Sequence, residues 1–264
     1  MNETTALDRA HAAMEASPDD DAARLRFFAR LCDNELFLML AAEPAGDSVS
    51  PEIFDLAAGR FVLVFDREER LSRFAGRAVP YAAMSGRVLV GMLSGRELGM
   101  AVNLEVAPSS ILLGPEAVTW LETILAQGPA RVEARIAAVS PPVGLPEALL
   151  HALDAKLALM AGRARRAYLV GTTDEAGQRG HMLAFVDAQE GAEPALAQAL
   201  NEALVFSGLE AEALDVAFLA GGDPLVERLA AQGLRIDLPE PPQDGHDKSP
   251  AAPGRDPARP PILR

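Results

Sequence analysis

Between residues 131 and 238, short apolar runs alternate with amphipathic stretches in a set order, and that order constrains the fold more than any other feature of the chain. Residues 131–139 alternate apolar and polar side chains, the period of a half-buried strand. Residues 146–161 repeat apolar side chains at helical spacing and stop at Gly162, a residue suited to ending a helix. Two more strands, 166–172 and 181–187, flank the polar turn 173–180. A helix over 193–206 ends at Gly208, and a strand over 214–219 follows. Asp223 and Pro224 open a last helix that stops at Gly233, before a short strand over 235–238. The order β-α-β-β-α-β is that of the ferredoxin-like, split-βαβ plan, here with an αβ extension.

The first half reads as a second α/β pattern. Thr4 or Thr5 caps a helix to Ala16. Ser17, Pro18 and Asp19 break it, and the acidic triplet Asp19, Asp20 and Asp21 suits the positive end of a second helix. Leu25, Phe28, Leu31 and Cys32 predict that helix's apolar face. Residues 35–42 read as a strand and 43–51 as a loop. Strands 53–57 and 60–65 join at Gly59, and Asp66 is expected to cap the helix that follows. A helix is predicted over 81–94, a strand pair over 98–103 and 109–113, and a helix from Pro115 to Ala126. Gly128 and Pro129 then mark a boundary. The expectation is an α/β (α+β) chain of two small mixed-sheet domains, 1–128 and 129–238. The Pro-rich segment 239–264 has too little apolar content to offset its ordering entropy and is expected to be disordered. Its two PxxP spacings, at 250–253 and 257–260, are what any Pro-rich tail produces.

Charge and composition narrow the function. The net charge of −14 opposes a phosphate backbone and an anionic membrane surface alike, so neither nucleic acid nor membrane is expected as a partner. The first residues contain no apolar stretch of the secretory kind. Apolar runs such as 88–93 are far below the ~20 residues of a membrane-spanning helix. A single cysteine, Cys32, fits a reducing compartment, and the expected location is cytoplasmic.

No motif carries chemistry. Neither glycine-rich phosphate loop occurs, nor a G-x-S-x-G elbow, nor a C-x-x-C pair. Gly91, Gly95 and Gly99 recur every four residues, but Gly95 and Gly99 read better as punctuation. Cys32 lies on a helix's apolar side and is expected to be a buried structural thiol. His11, His151, His181 and His246 lack metal-ligand spacing. Arg163, Arg165 and Arg166 form a local basic spot. They suit an anion or acidic partner, although cations at a helix C-terminus explain them more simply. The reading is therefore no catalytic, cofactor-binding or metal residue, with Arg163, Arg165 and Arg166 as a contact for an unknown protein or small ligand. The alternative is a small-molecule enzyme with an unrecognised interdomain site, using His151 or His181 as base.

Arg60, Phe61, Val62, Leu63, Val64, Phe65 and Asp66, followed by a helix from Arg67, form one block. A second block is Gly99, Met100, Ala101, Val102 and Asn103, then Leu113, Gly114, Pro115, Glu116, Ala117 and Val118. In order and spacing these resemble the N-terminal domain of the SseB family, named for enhanced serine sensitivity in bacteria. The strands around Tyr168, Leu169 and Val170 and around Ala184, Phe185, Val186 and Asp187 are similar to that family's C-terminal domain. Three positions depart from the pattern: Leu104 stands where proline is common, and Asp66 and Arg67 where Thr-Ser is frequent. The resemblance implies a cytoplasmic bacterial protein without transferable catalytic residues. The resulting expectation is a non-enzymatic binding or regulatory protein linked to serine or amino-acid sensitivity.

Overall fold

The computed structural model of the chain describes residues 4–44, 48–126, 136–175, 177–208, 214–240 and 262–263. The chain divides into two compact units, Met1–Ala126 with Lys248–Arg264, and Gln127–Asp247. The boundary at Gly128 and Pro129 and the start of the strand expected from residue 131 lie outside the described residues.

In the first unit Thr5 starts α1 (Ala6–Ala16) with a reciprocal capping box: its hydroxyl accepts from the Asp8 amide, and the Asp8 carboxylate accepts from the Thr5 amide. Asp20 caps α2 (Asp21–Asp33). The buried side of α2 is Ala23, Phe27, Leu31 and Cys32, whereas Leu25 and Phe28 are only half-buried. Both stripes satisfy helical spacing. The choice falls to Phe27 because its ring meets the His11 ring of α1 edge-on at 5.5 Å.

The sheet comprises β1 (Glu35–Met39), β3 (Ile53–Leu56), β4 (Gly59–Phe65), β5 (Tyr81–Ser85), β6 (Gly99–Val102) and β7 (Ile111–Leu113), after a short β2 (Ser48–Val49). Its order is β5-β1-β4-β6-β7. β1 and β3 share one side of β4 end to end, and only β4 and β6 run parallel. Three helices complete the unit: α3 (Glu68–Ala75), α4 (Gly86–Leu93) and α5 (Pro115–Ala126).

The helix predicted over 81–94 is half strand. Tyr81–Ser85 pairs with β1 in register from Glu35↔Ser85 to Met39↔Tyr81, and only then does Ser85 cap α4. Ala82 and Ala83 favour helix intrinsically, but burying them with Met84 on the sheet outweighs that weak preference. Asp66 does not cap α3. Arg67 holds the cap position without a side-chain bond, and the Asp66 carboxylate is used elsewhere.

α4 begins where α2 ends, and Gly86 permits it. Its amide donates to the Asn34 carbonyl at 2.9 Å, and a Cβ there would lie 2.1 Å from the Leu31 carbonyl oxygen. Gly86→Ala must push two helix backbones apart and is expected to cost about 3 kcal/mol. Gly91, one turn further, has nothing within 4 Å of a Cβ. Gly91→Ala should therefore raise stability by up to ~0.8 kcal/mol. Urea unfolding of the two variants checks both signs. Gly91, Gly95 and Gly99 form no shared packing stripe, since only Gly99 of the three is tightly approached.

The second unit contains β8 (Ile136–Ser140), α6 (Glu147–Ala158), β9 (Arg166–Asp174), β10 (Arg179–Val186), α7 (Glu193–Phe206), β11 (Asp215–Leu219), α8 (Pro224–Gln232) and β12 (Leu234–Asp237). The element order matches the sequence reading, and the α/β class stands, but the sheet is not ferredoxin-like. Its order is β11-β10-β9-β12, with β8 also on β9. A split βαβ would insert a strand between β10 and β11. Here those two pair directly and in parallel, from Met182↔Asp215 to Val186↔Leu219. The nine-residue β9 accommodates both β8 and β12 along one side, so neither needs to enter the centre. Leu149, Leu153, Leu196 and Leu200 of α6 and α7 cover one face with Leu169, Leu183 and Phe185. Val226 and Leu229 of α8 cover the other with Tyr168, Val170, Met182 and Ala184.

Within the segment read as a disordered tail, residues 241–261 and 264 lie outside the described residues. Ile262–Leu263 differs from that expectation, forming a two-residue strand, β13, parallel to β2. It is the tail's one adjacent pair of large aliphatic residues.

Candidate functional site

The parallel strands β4 and β6 end side by side, and the chain leaves them at Asp66 and Asn103. Open α/β sheets place ligands at this carboxyl end. Asn103 adopts a left-handed backbone, φ 49°. Its amide donates to the Val64 carbonyl at 2.8 Å, and its side-chain oxygen accepts from the Asp66 amide at 3.1 Å, clasping the two strand ends. Its side-chain nitrogen donates to Ser109 Oγ at 2.8 Å, and that hydroxyl donates to Asp8 Oδ1 at 2.6 Å.

Arg70 completes the network. From α3 its guanidinium donates to Asp8 Oδ1 at 3.0 Å and to Asp66 Oδ1 at 2.8 Å. The Thr5 hydroxyl donates to Asp66 Oδ2 at 2.6 Å. The side chains of Arg70, Asp8 and Asp66 are 3%, 2% and 1% exposed. Burial by itself would raise the Asp8 pKa. Hydrogen bonds from Arg70, Ser109 and the Thr5 amide outweigh it and hold the carboxyl well below the usual range. Burial likewise opposes the Arg70 charge, and the two carboxylates more than compensate. Two carboxylates and one guanidinium thus tie α1, α3 and the β6–β7 connection to the strand ends. Sequence reasoning missed this cluster, although Asp66 and Arg70 stand four residues apart, the spacing of a helical ion pair.

The second unit repeats the clasp. Asp187 follows β10 with φ 54°, its amide donates to the Leu219 carbonyl at 3.0 Å, and its carboxylate accepts from the Gly221 amide at 2.7 Å. Nearby, α6 ends at Ala158, so Arg163, Arg165 and Arg166 do not sit on its last turn, and the helix-dipole explanation is corrected. Arg163 and Arg165 are exposed. Arg166 opens β9 with its guanidinium 5.9 Å from the Tyr168 ring centre. Its Nε is the one buried side-chain nitrogen or oxygen without a hydrogen-bond partner among the described residues. A second buried charge pair links the helices of this unit, Lys156 Nζ to Glu202 Oε2 at 2.7 Å.

The remaining candidates are dispersed. His11 is buried in the first unit. His151 is exposed on α6, 3.4 Å from Glu147 of its own helix. His181 Nε2 lies 3.1 Å from the Val143 carbonyl. His246 lies outside the described residues. Cys32 is fully buried. Among the described residues no three His, Cys, Asp or Glu side chains are grouped to hold a metal ion, and no helix is long and apolar enough to cross a membrane.

Comparison with protein families matches residues 7–120 to the SseB protein N-terminal domain. The matched span holds most of the buried network, from Asp8 to Ser109. No curated protein and no solved structure gives a significant match to the chain.

Proposed function

The chain belongs to the SseB family through its N-terminal domain, and from that premise we propose that it is a non-enzymatic binding or regulatory protein of the bacterial cytoplasm, connected with tolerance of serine or other amino acids. On the same reading the second unit is the family's C-terminal domain. The observation that carries the proposal is how the polar side chains at the ends of β4 and β6 are spent. Asp8, Asp66, Arg70, Asn103 and Ser109 bond to one another, and α1 fills the place where a sheet of this kind would hold a ligand. A general acid or base must reach the proton it moves, and these groups face inward. What such a unit offers to other molecules is its surface.

Affinity capture with the full chain from lysate at native salt is expected to recover a partner in stoichiometric amount, and recovery of none overturns the binding role. A strain lacking the protein should grow more slowly than its parent when serine is added. Equal growth removes the amino-acid connection.

A further inference from the structure

The surface of the first unit carries a groove of about 620 Å³ between the end of α4 and the start of α5. Leu93 and Leu98 form its apolar base. Trp120, the chain's only tryptophan, stands beside them 40% exposed. The Phe28 ring meets the Trp120 ring edge-on at 5.3 Å and braces it from outside the groove. Thr119 and Thr123 also line it, but their hydroxyls donate back to the Pro115 and Thr119 carbonyls, both at 2.9 Å. Their hydrogen bonding is thus met within α5.

The rim is acidic. Glu97 and Glu116 are both exposed, and neither forms an ion pair among the described residues. Glu97 is held at φ 55°, a conformation that costs a non-glycine residue energy and that the turn after α4 nevertheless keeps. Arg96 beside it does not line the groove, and its Nε donates to the Met92 carbonyl.

We propose that this groove is the docking site for a cationic amphipathic segment of a partner protein. An aliphatic anchor would lie against Trp120, Leu93 and Leu98, with Lys or Arg residues meeting Glu97 and Glu116. The inference deepens the binding role proposed above and rests on it. Charge chooses the occupant. A chain of net charge −14 attracts a basic segment, whereas a second copy would bring like charge against like. Exposed tryptophan beside an apolar base is also the composition of an interface hot spot.

Trp120 is its own reporter. The probe is a synthetic helical peptide with leucine on one face and lysine on the other, titrated into the full chain. The expected result is a saturable blue shift of tryptophan emission. Glu97→Gln with Glu116→Gln should weaken the affinity about tenfold, the combined size of two solvent-exposed ion pairs. Glu68→Gln with Glu69→Gln removes the same charge from α3 and should leave the affinity unchanged. No shift at saturation overturns the proposal. So does equal weakening by the two double variants, an equal response to a leucine/glutamate peptide, or a shift produced by concentrating the protein alone, which would mark a second copy as the occupant. In the affinity capture, a partner that Trp120→Ala retains leaves the binding role standing and sinks the groove.

Discussion

Arg70→Leu is expected to lower the stability of the first unit by about 3–5 kcal/mol, the cost of removing one partner from a buried ion pair. The reason is local. Asp8 and Asp66, both nearly inaccessible, would lose the guanidinium that lies between them. Each then faces a like charge in a medium too poor in water to screen it. The loss should be read as a fall in the urea midpoint of the unit. A loss under ~1 kcal/mol would mean that the network is wetter than its burial indicates.

The same network sets an acid dependence. The Asp8 pKa in the folded chain lies below its ordinary 3.8. A depressed carboxyl contributes stability that is fully present above the unfolded pKa and is lost as pH falls through the folded one. The stability difference between the native chain and Asp8→Asn should therefore be flat from neutral pH down to about 4 and shrink below it. A difference that is constant through strong acid would refute the assignment.

The second large effect is expected at Glu202. Glu202→Leu takes the carboxylate away from the Lys156 ammonium between α6 and α7, where that side chain lies 4% exposed and 5.4 Å from the buried Phe206 ring. The expected loss is about 3–5 kcal/mol, the cost of removing one partner from a buried ion pair. Adding Lys156→Met should recover most of it, since an apolar pair of similar volume fills the space without a desolvation cost. Unfolding of both variants by guanidinium chloride decides the matter. A double variant as unstable as the single one would show that the pair's other contacts matter more than its charge.

These two clusters mark the limit of what the sequence shows. Thr5, Asp20, Ser85 and Asp223 cap helices because a short polar side chain can bond an amide two or three residues along. That chemistry is local, so α1, α2 and α8 are legible from residue order. The hairpin at Gly59 and the helix opened by Pro115 are legible for the same reason. Ser85 was the exception, since its cap was hidden inside a longer apolar run.

The candidate groups were less legible. Asp8 and Ser109 are 101 positions apart and Lys156 and Glu202 are 46 apart, so nothing in their spacing announces contact. Lys156 did stand on the helical stripe of Leu149 and Leu153, where an apolar residue was due. That misfit and the four-residue spacing of Asp66 and Arg70 were the available signals of buried charge.

The sequence by itself therefore determined the two-part α/β class, most helix ends and the acidic surface, because these follow from neighbours in the chain and from total charge. Only the tertiary structure decided that 81–85 is a strand, that β10 and β11 lie together unsplit, and that Asp66 meets Arg70 rather than an amide. The first two are choices between distant partners and the third a choice between near ones, and each is settled by which arrangement buries apolar surface while leaving the fewest charges alone.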